Sequence, residues 1–352
     1  MSNHKLLLEK YPNKDLFISD IFDNLPFKDD MASMEHPIFS LSTKKDLRVI
    51  RYEHNGYSIV ISPNTNHGLP TIFDKDILLY CGSLIVNEFN RGYSPSQTIR
   101  ISPHDLLVST NRATNGDGYR LFKNALDRLT SVFIETNIET GSKKMSKGFH
   151  LLENYQIVES SRVKKRMVKL EITLSDWFYN ALKAREVLTI NKQYFRLRQP
   201  LERRIYEIAR KHCGNQKQFL ISLGLLHKKS GSSGNLNRFR FNLKKIIEKN
   251  VFPDYSIEFK NKDEVIFFKK EADLDAGKEN SKTLKKSPSE PDLFLKSTTL
   301  EKARDLALKA GTGWDIYAIE DDFKEFNKNN FEISNVDAYF IGFVKKKIQK
   351  AP

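Results

Sequence analysis

The sequence predicts an α+β fold in which one order of elements is used twice, followed by a polar linker and a small helical tail. Three observations carry this. The chain has 352 residues, 39% hydrophobic and 29% charged, which is a globular composition with room for two or three domains. Its apolar residues switch repeatedly between a period of two and a period near 3.6, so short strands alternate with amphipathic helices. The net charge of +14 is concentrated: residues 1–149 hold 18 Lys+Arg against 17 Asp+Glu, whereas residues 150–270 hold 26 against 12.

Residues 1–35 read as an irregular leader with one short helical candidate, "DLFISDIFDNL". The stretch "RVIRYEHNGYSIVIS" alternates around Asn55-Gly56, a type I′ hairpin signal. In "FDKDILLYCGSLIVNEF" the apolar residues Ile77, Tyr80, Cys81, Leu84 and Ile85 have helical spacing. "SPHDLLVSTNR" opens with Ser102 as N-cap, Pro103 in the first turn and Asp105 closing a capping box. After "NGDG", Tyr119, Phe122, Leu126 and Leu129 form a buried helical stripe. "SVFIETNI" and "FHLLENYQIVES" read as two strands around a basic tip that carries Lys143 and Lys144. Hairpin, two helices, turn, helix, strand, wing and strand is the order of a winged helix, here over residues 36–160.

The order recurs over residues 161–270. "MVKLEITL" is a strand and "SDWFYNALKAREVL" a helix capped by Ser175. "QPLERRIYEIARKHCGN" starts at Pro200 and stops at Gly214. "SLGLLHKK" is a short helix, "SGSSG" a turn, and "NLNRFRFNLKKIIEKN" the next helix; "YSIEFKNKDEVIFFKK" closes the unit as a hairpin. Two such units in succession are tandem winged helices. Residues 271–292 are polar and read as a flexible linker. Residues 293–352 contain three helical candidates and read as a small helical module.

Several chemistries have no support. There is no G-x-x-x-x-G-K-[ST] phosphate loop, no H-E-x-x-H and no G-x-S-x-G. No two histidines flank a single residue, so the metal-holding pair of origin-nicking enzymes is missing. His212 and Cys213 are adjacent on a helix and point apart, which suits structural roles. Asp74 and Asp76 lie at a helix start, where capping is the simpler role. The reading is a protein that is not an enzyme, with no cofactor and no metal. No apolar run approaches a membrane span, no secretory signal is evident, and two distant cysteines, Cys81 and Cys213, fit a reducing cytoplasm.

The basic half points to a polyanion. On the helix from Asn235, Leu236, Phe239, Leu243, Ile246 and Ile247 make one stripe, and Arg238, Asn242, Lys245 and Lys249 make another. A core helix with a solvated basic face explains the first stripe, but not a polar face with almost no acid apart from Glu248. A second helix of a helix-turn-helix enters the major groove, where Arg pairs with guanine and Asn with adenine. Arg238 and Asn242 are therefore the expected base readers, with Lys245 and Lys249 nearer phosphates. Asn237, Arg240 and Lys244 flank them, and Lys228, Lys229, Lys260 and Lys262 extend the basic surface. The equivalent helix of the first unit offers Arg120, Lys123 and Asn124 together with Asp127, a mixed face that fits weak DNA contact or a protein interface equally.

The segments "DDMASMEHPIFSLSTKKDLRVIRYEHNG", "IFDKDILLYC", "ISPHDLLVSTNRATNGDGY", "LEITLSDWFYNA", "PLERRIYEIARKHCG" and "LLHKKSGS" resemble the replication initiator protein A family of plasmid initiators, over roughly residues 15–270. The resemblance implies binding to repeated sites in double-stranded origin DNA and opening of a neighbouring AT-rich duplex. It also implies recruitment of the host initiator and replicative helicase. Dimerisation through the first winged helix and repression of the protein's own promoter are further implications. A winged-helix transcriptional repressor and an origin-nicking relaxase are the competing readings.

Overall fold

The structure, a computed structural model, describes residues 6–11, 26–138, 148–160, 166–270 and 336–349, with isolated positions from 299 to 327. The chain divides into two units: one takes residues 85–95, 183–185 and 272–352, and the other takes the rest of residues 1–271.

In the larger unit the first elements are β1 (Lys28–Asp30) and α1 (Met31–Glu35), then the hairpin β2 (Ile50–His54) and β3 (Tyr57–Ser62). Asn55 and Gly56 have φ of 49° and 80°, the two positive values that a type I′ turn requires. Next come α2 (Lys75–Asn90), β4 (Thr98–Ile101), α3 (Pro103–Ser109) and α4 (Gly116–Ser131). The Ser102 hydroxyl accepts from the Asp105 amide at 3.3 Å and Pro103 fills the first turn of α3, as the sequence predicts. Helix α4 buries Phe122, Leu126 and Leu129, with Tyr119 half-buried. Its start requires a glycine, because a Cβ on Gly118 would lie 1.9 Å from the Ala113 carbonyl oxygen.

Three strands follow: β5 (Phe133–Thr136), β6 (Leu152–Ser160) and β7 (Arg166–Leu174). Then come α5 (Asp176–Lys183), β8 (Val187–Thr189), α6 (Pro200–His212), β9 (Gln218–Ser222), α7 (Leu223–Ser230), α8 (Leu236–Lys249), β10 (Tyr255–Phe259) and β11 (Glu264–Lys269). One sheet has the order β4-β7-β6 and another β9-β11-β10, all antiparallel. Helix, strand, two helices and two strands, with the last strand in the middle of the sheet, thus occurs twice, from α2 to β7 and from α6 to β11, except that the first occurrence carries the additional strand β5, which joins the sheet of β2 and β3. The fold is mixed helix and antiparallel sheet.

The repeat is cut differently from the sequence expectation. Strand β6 was expected to pair back on β5; it pairs with β7 instead, and β5 joins β3. Among the described residues a single bridge, Ile134 to Phe149, links β5 to the chain before β6. The cause is burial: Leu170, Ile172 and Leu174 of β7 are fully buried, and β6 supplies their hydrogen-bonding neighbour. A boundary at residue 160 would split this hairpin. Residues 28–35 are likewise not an irregular leader: β1 pairs with β8, and Phe27 and Met34 are buried. The helical candidate "DLFISDIFDNL", the wing tip with Lys143 and Lys144, and the linker at 271–292 lie outside the described residues.

The two repeats share a buried ionic core. Lys75 of α2 sits 2.8 Å from Asp29 and 3.1 Å from Glu207 of α6, all three almost fully buried. Burial pulls the Lys75 ammonium down, but the two carboxylates outweigh it and hold its pKa above the ordinary lysine range. Asp76 pairs with Arg203 at 2.6 Å and Arg112 at 2.9 Å, and Asp74 with Arg128 at 2.7 Å. Asp74 also accepts from the Thr71 amide at 2.7 Å, so it closes the turn before α2 and binds a cation rather than capping the helix; Asp76 serves as a cross-link.

In the smaller unit, α9 (Val336–Gln349) packs Phe340 and Val344 against Ala303, Ile319 and Phe323. Among the described residues no helix is long and apolar enough to cross a membrane.

Candidate nucleic-acid interface

The turn between α7 and α8 sets the candidate surface. Ser222 caps α7 by accepting from the Leu225 amide, and Gly231 ends it with φ of 69°. That glycine is needed twice over, since a Cβ there would also lie 2.7 Å from the Cβ of Pro37. The His227 Nε2–H donates to the Gly234 carbonyl at 2.7 Å and its ring leans on Phe239, which pins the turn to the next helix. Asn235 then caps α8 by accepting from the Arg238 amide at 2.9 Å.

Helix α8 buries Phe239, Leu243 and Ile246, and half-buries Leu236 and Ile247. Its exposed residues are Asn237, Arg238, Phe241, Lys244, Lys245, Glu248 and Lys249. At 3.6 residues per turn, Phe241 falls opposite the buried stripe, with Arg238 and Lys245 on one side of it and Asn237 and Lys244 on the other. Arg240 reaches sideways: its Nη2 is 3.2 Å from Asp263 and 3.3 Å from the Lys262 carbonyl. This ties α8 to the β10–β11 turn, where Lys260 and Lys262 are exposed. Helix face and hairpin tip therefore form one basic surface.

The structure redistributes the expected contacts. Arg238, Asn237, Lys244 and Lys245 stand on the open face, and Lys228 is exposed on α7. Asn242 is half-buried on the flank of α8 rather than at its front. Lys249 places its ammonium 3.3 Å from the buried carboxylate of Glu202 at the start of α6. Lys229 is a correction: it is only 4% exposed and donates to Glu35. The His212 Nε2 lies 2.9 Å from the same carboxylate. Burial works against the charge on Glu35, but these two neighbours outweigh it and hold its pKa well below the usual range. Lys229 thus spends its charge inside the fold. On α4, Arg120 and Lys123 are exposed and Asn124 half-buried, but Arg120 is 3.0 Å from Asp117. That face keeps the mixed character read from the sequence.

Comparison with known proteins decides the family. The model of the family described as "Replication initiator protein A" matches residues 28–257. The chain belongs to this family. The match begins where β1 begins, covers the first repeat of this replication initiator and runs into β10 of the second. A curated protein of Wigglesworthia glossinidia brevipalpis named "Putative replication protein" is 41% identical over 273 residues, covering 77% of this chain and 98% of its own. Among solved structures, domains 2 and 3 of RctB match with a TM-score of 0.50 at 14% identity, over 68% of this chain and 96% of that one.

Sequence reasoning on the initiator missed two features of the surface, the outward position of Phe241 and the Arg240–Asp263 tie. The first was available: Phe241 lies two and five residues from the buried Phe239 and Ile246, off any helical stripe that contains them. The second required a contact 23 residues away in sequence, which no local pattern reports.

Proposed function

We propose that this replication initiator consists of tandem winged helices and binds repeated sites in plasmid origin DNA, with α8 as its main reading helix. The carrying observation is the outward face of α8, which offers Arg238, Lys244 and Lys245 beside the exposed Lys260 and Lys262. Family membership supplies the setting. Binding energy, not nucleotide hydrolysis, opens the neighbouring AT-rich duplex, because several copies on adjacent repeats bend and strain it. The segment 1–149, near neutral in charge, serves mainly as a dimer surface. The host initiator and replicative helicase join the opened complex in the cytoplasm, and binding at the promoter represses the gene.

Footprinting on the DNA that flanks the gene tests this reading. Protection of a set of repeats is the expected result, and loss of plasmid replication when the gene is deleted separates an initiator from a plain repressor. Affinity for the repeats should fall steeply with salt, and Lys244→Ala or Lys245→Ala should each flatten the log–log slope by about one. Unchanged slopes would remove these lysines from the phosphate contacts. The protein acts without catalysis: supercoiled origin DNA incubated with it and Mg²⁺ should stay closed, and protein-dependent nicking would favour a relaxase.

A further inference from the structure

We propose that Phe241 is a specificity-determining residue of α8 that reads the 5-methyl group of a thymine in the major groove. The inference rests on α8 being the reading helix, and it assigns a base that the polar residues cannot. Phe241 is 49% exposed at the centre of a face whose other members are Asn237, Arg238, Lys244, Lys245 and Glu248. Three hydrophobic positions of α8 already fill the core, so packing does not call for a fourth on the opposite side.

Base edges in the major groove carry donors and acceptors, and their one apolar group is the thymine methyl. A phenyl ring offers no hydrogen bond, so this is the only base feature it can match favourably. The neighbours fit the task. The Lys245 ammonium lies 4.3 Å and the Arg238 guanidinium 5.6 Å from the ring centroid. In the free protein these cations cover part of the ring and limit its contact with water. On DNA they would move to phosphate and base acceptors and leave the ring facing the groove. Arg238 is three residues from Phe241, about 4.5 Å along the helix axis. The thymine should therefore stand within a step or two of the base read by Arg238.

The test uses the full chain and one repeat taken from the footprint. Each thymine is replaced in turn by uracil, which lacks only the methyl group, and binding is compared with a scrambled duplex. Wild-type protein should weaken about three- to tenfold at one uracil position. Phe241→Ala should bind the intact repeat about tenfold more weakly, ignore that same uracil, and keep its scrambled-DNA affinity and melting temperature. Phe241→Leu should recover part of the methyl effect. A wild-type protein that distinguishes repeat from scramble yet tolerates every uracil would overturn the role of Phe241 alone. So would a Phe241→Ala variant that still senses the methyl, the result expected if the ring instead serves a protein contact. No preference of the wild type for the repeat over the scramble would overturn the reading of α8 itself.

Discussion

An Arg203→Ala variant should melt about 6–20 °C below the wild type, from a loss of about 3–5 kcal/mol. The guanidinium is 3% exposed and occupies three partners at once: Asp76 at 2.6 Å, the Phe195 carbonyl at 3.1 Å and the Leu197 carbonyl at 3.3 Å. It also stacks over Phe73 and Tyr194, at 4.5 and 4.9 Å from their centroids. Alanine would leave Asp76, itself fully buried, with Arg112 in place of two arginines and would strand two carbonyls. Leaving a buried charge short of partners costs more than the pair itself contributes, which is why truncation is the sensitive experiment. Arg203→Lys keeps the charge but not the planar fork, so its melting temperature should fall between the two. Thermal melting followed by circular dichroism decides the matter; a shift of only a degree or two for Arg203→Ala would show that the cross-link between α2 and α6 is dispensable.

Local chemistry made part of this fold readable. Asn55-Gly56 announces its turn because both residues tolerate positive φ, and Ser102 and Ser222 announce helix starts because their hydroxyls can satisfy free amides. The Phe239, Leu243, Ile246 stripe is likewise local periodicity. What failed was non-local. Strand β1 finds its partner β8 some 160 residues on, and β6 chooses β7 over β5 because the apolar face of β7 must be covered. Lys229 looks like a surface lysine until Glu35, 194 residues earlier, folds against it. Asp76 has the position of a capping residue, yet its two arginines come from a loop and from the second repeat. Phe241 is a different case: it belongs to neither stripe of α8, and its wheel position already places it opposite the buried one.

Arg238→Ala should lose discrimination between cognate and scrambled repeats by about 1–3 kcal/mol, or roughly five- to 150-fold in the affinity ratio. The ratio is the proper readout. Removing a positive charge weakens binding to any duplex, so absolute affinity at one salt concentration confounds phosphate contact with base contact. Lys244→Ala supplies the comparison, since its exposed ammonium should cost both duplexes alike and leave the ratio unchanged. Arg238→Lys separates charge from geometry: a single ammonium cannot reproduce the two parallel bonds to guanine O6 and N7, so this variant should keep non-specific affinity and still lose most of the ratio. Helix α8 should survive each change, because the cap uses the Arg238 backbone amide and its side chain is exposed. Asn242→Ala should cost less than Arg238→Ala, because its side chain stands half-buried on the flank of the helix. If Arg238→Ala keeps the wild-type ratio while Asn242→Ala loses it, the flank rather than the front of α8 faces the bases, and the docking angle of the helix must be turned accordingly.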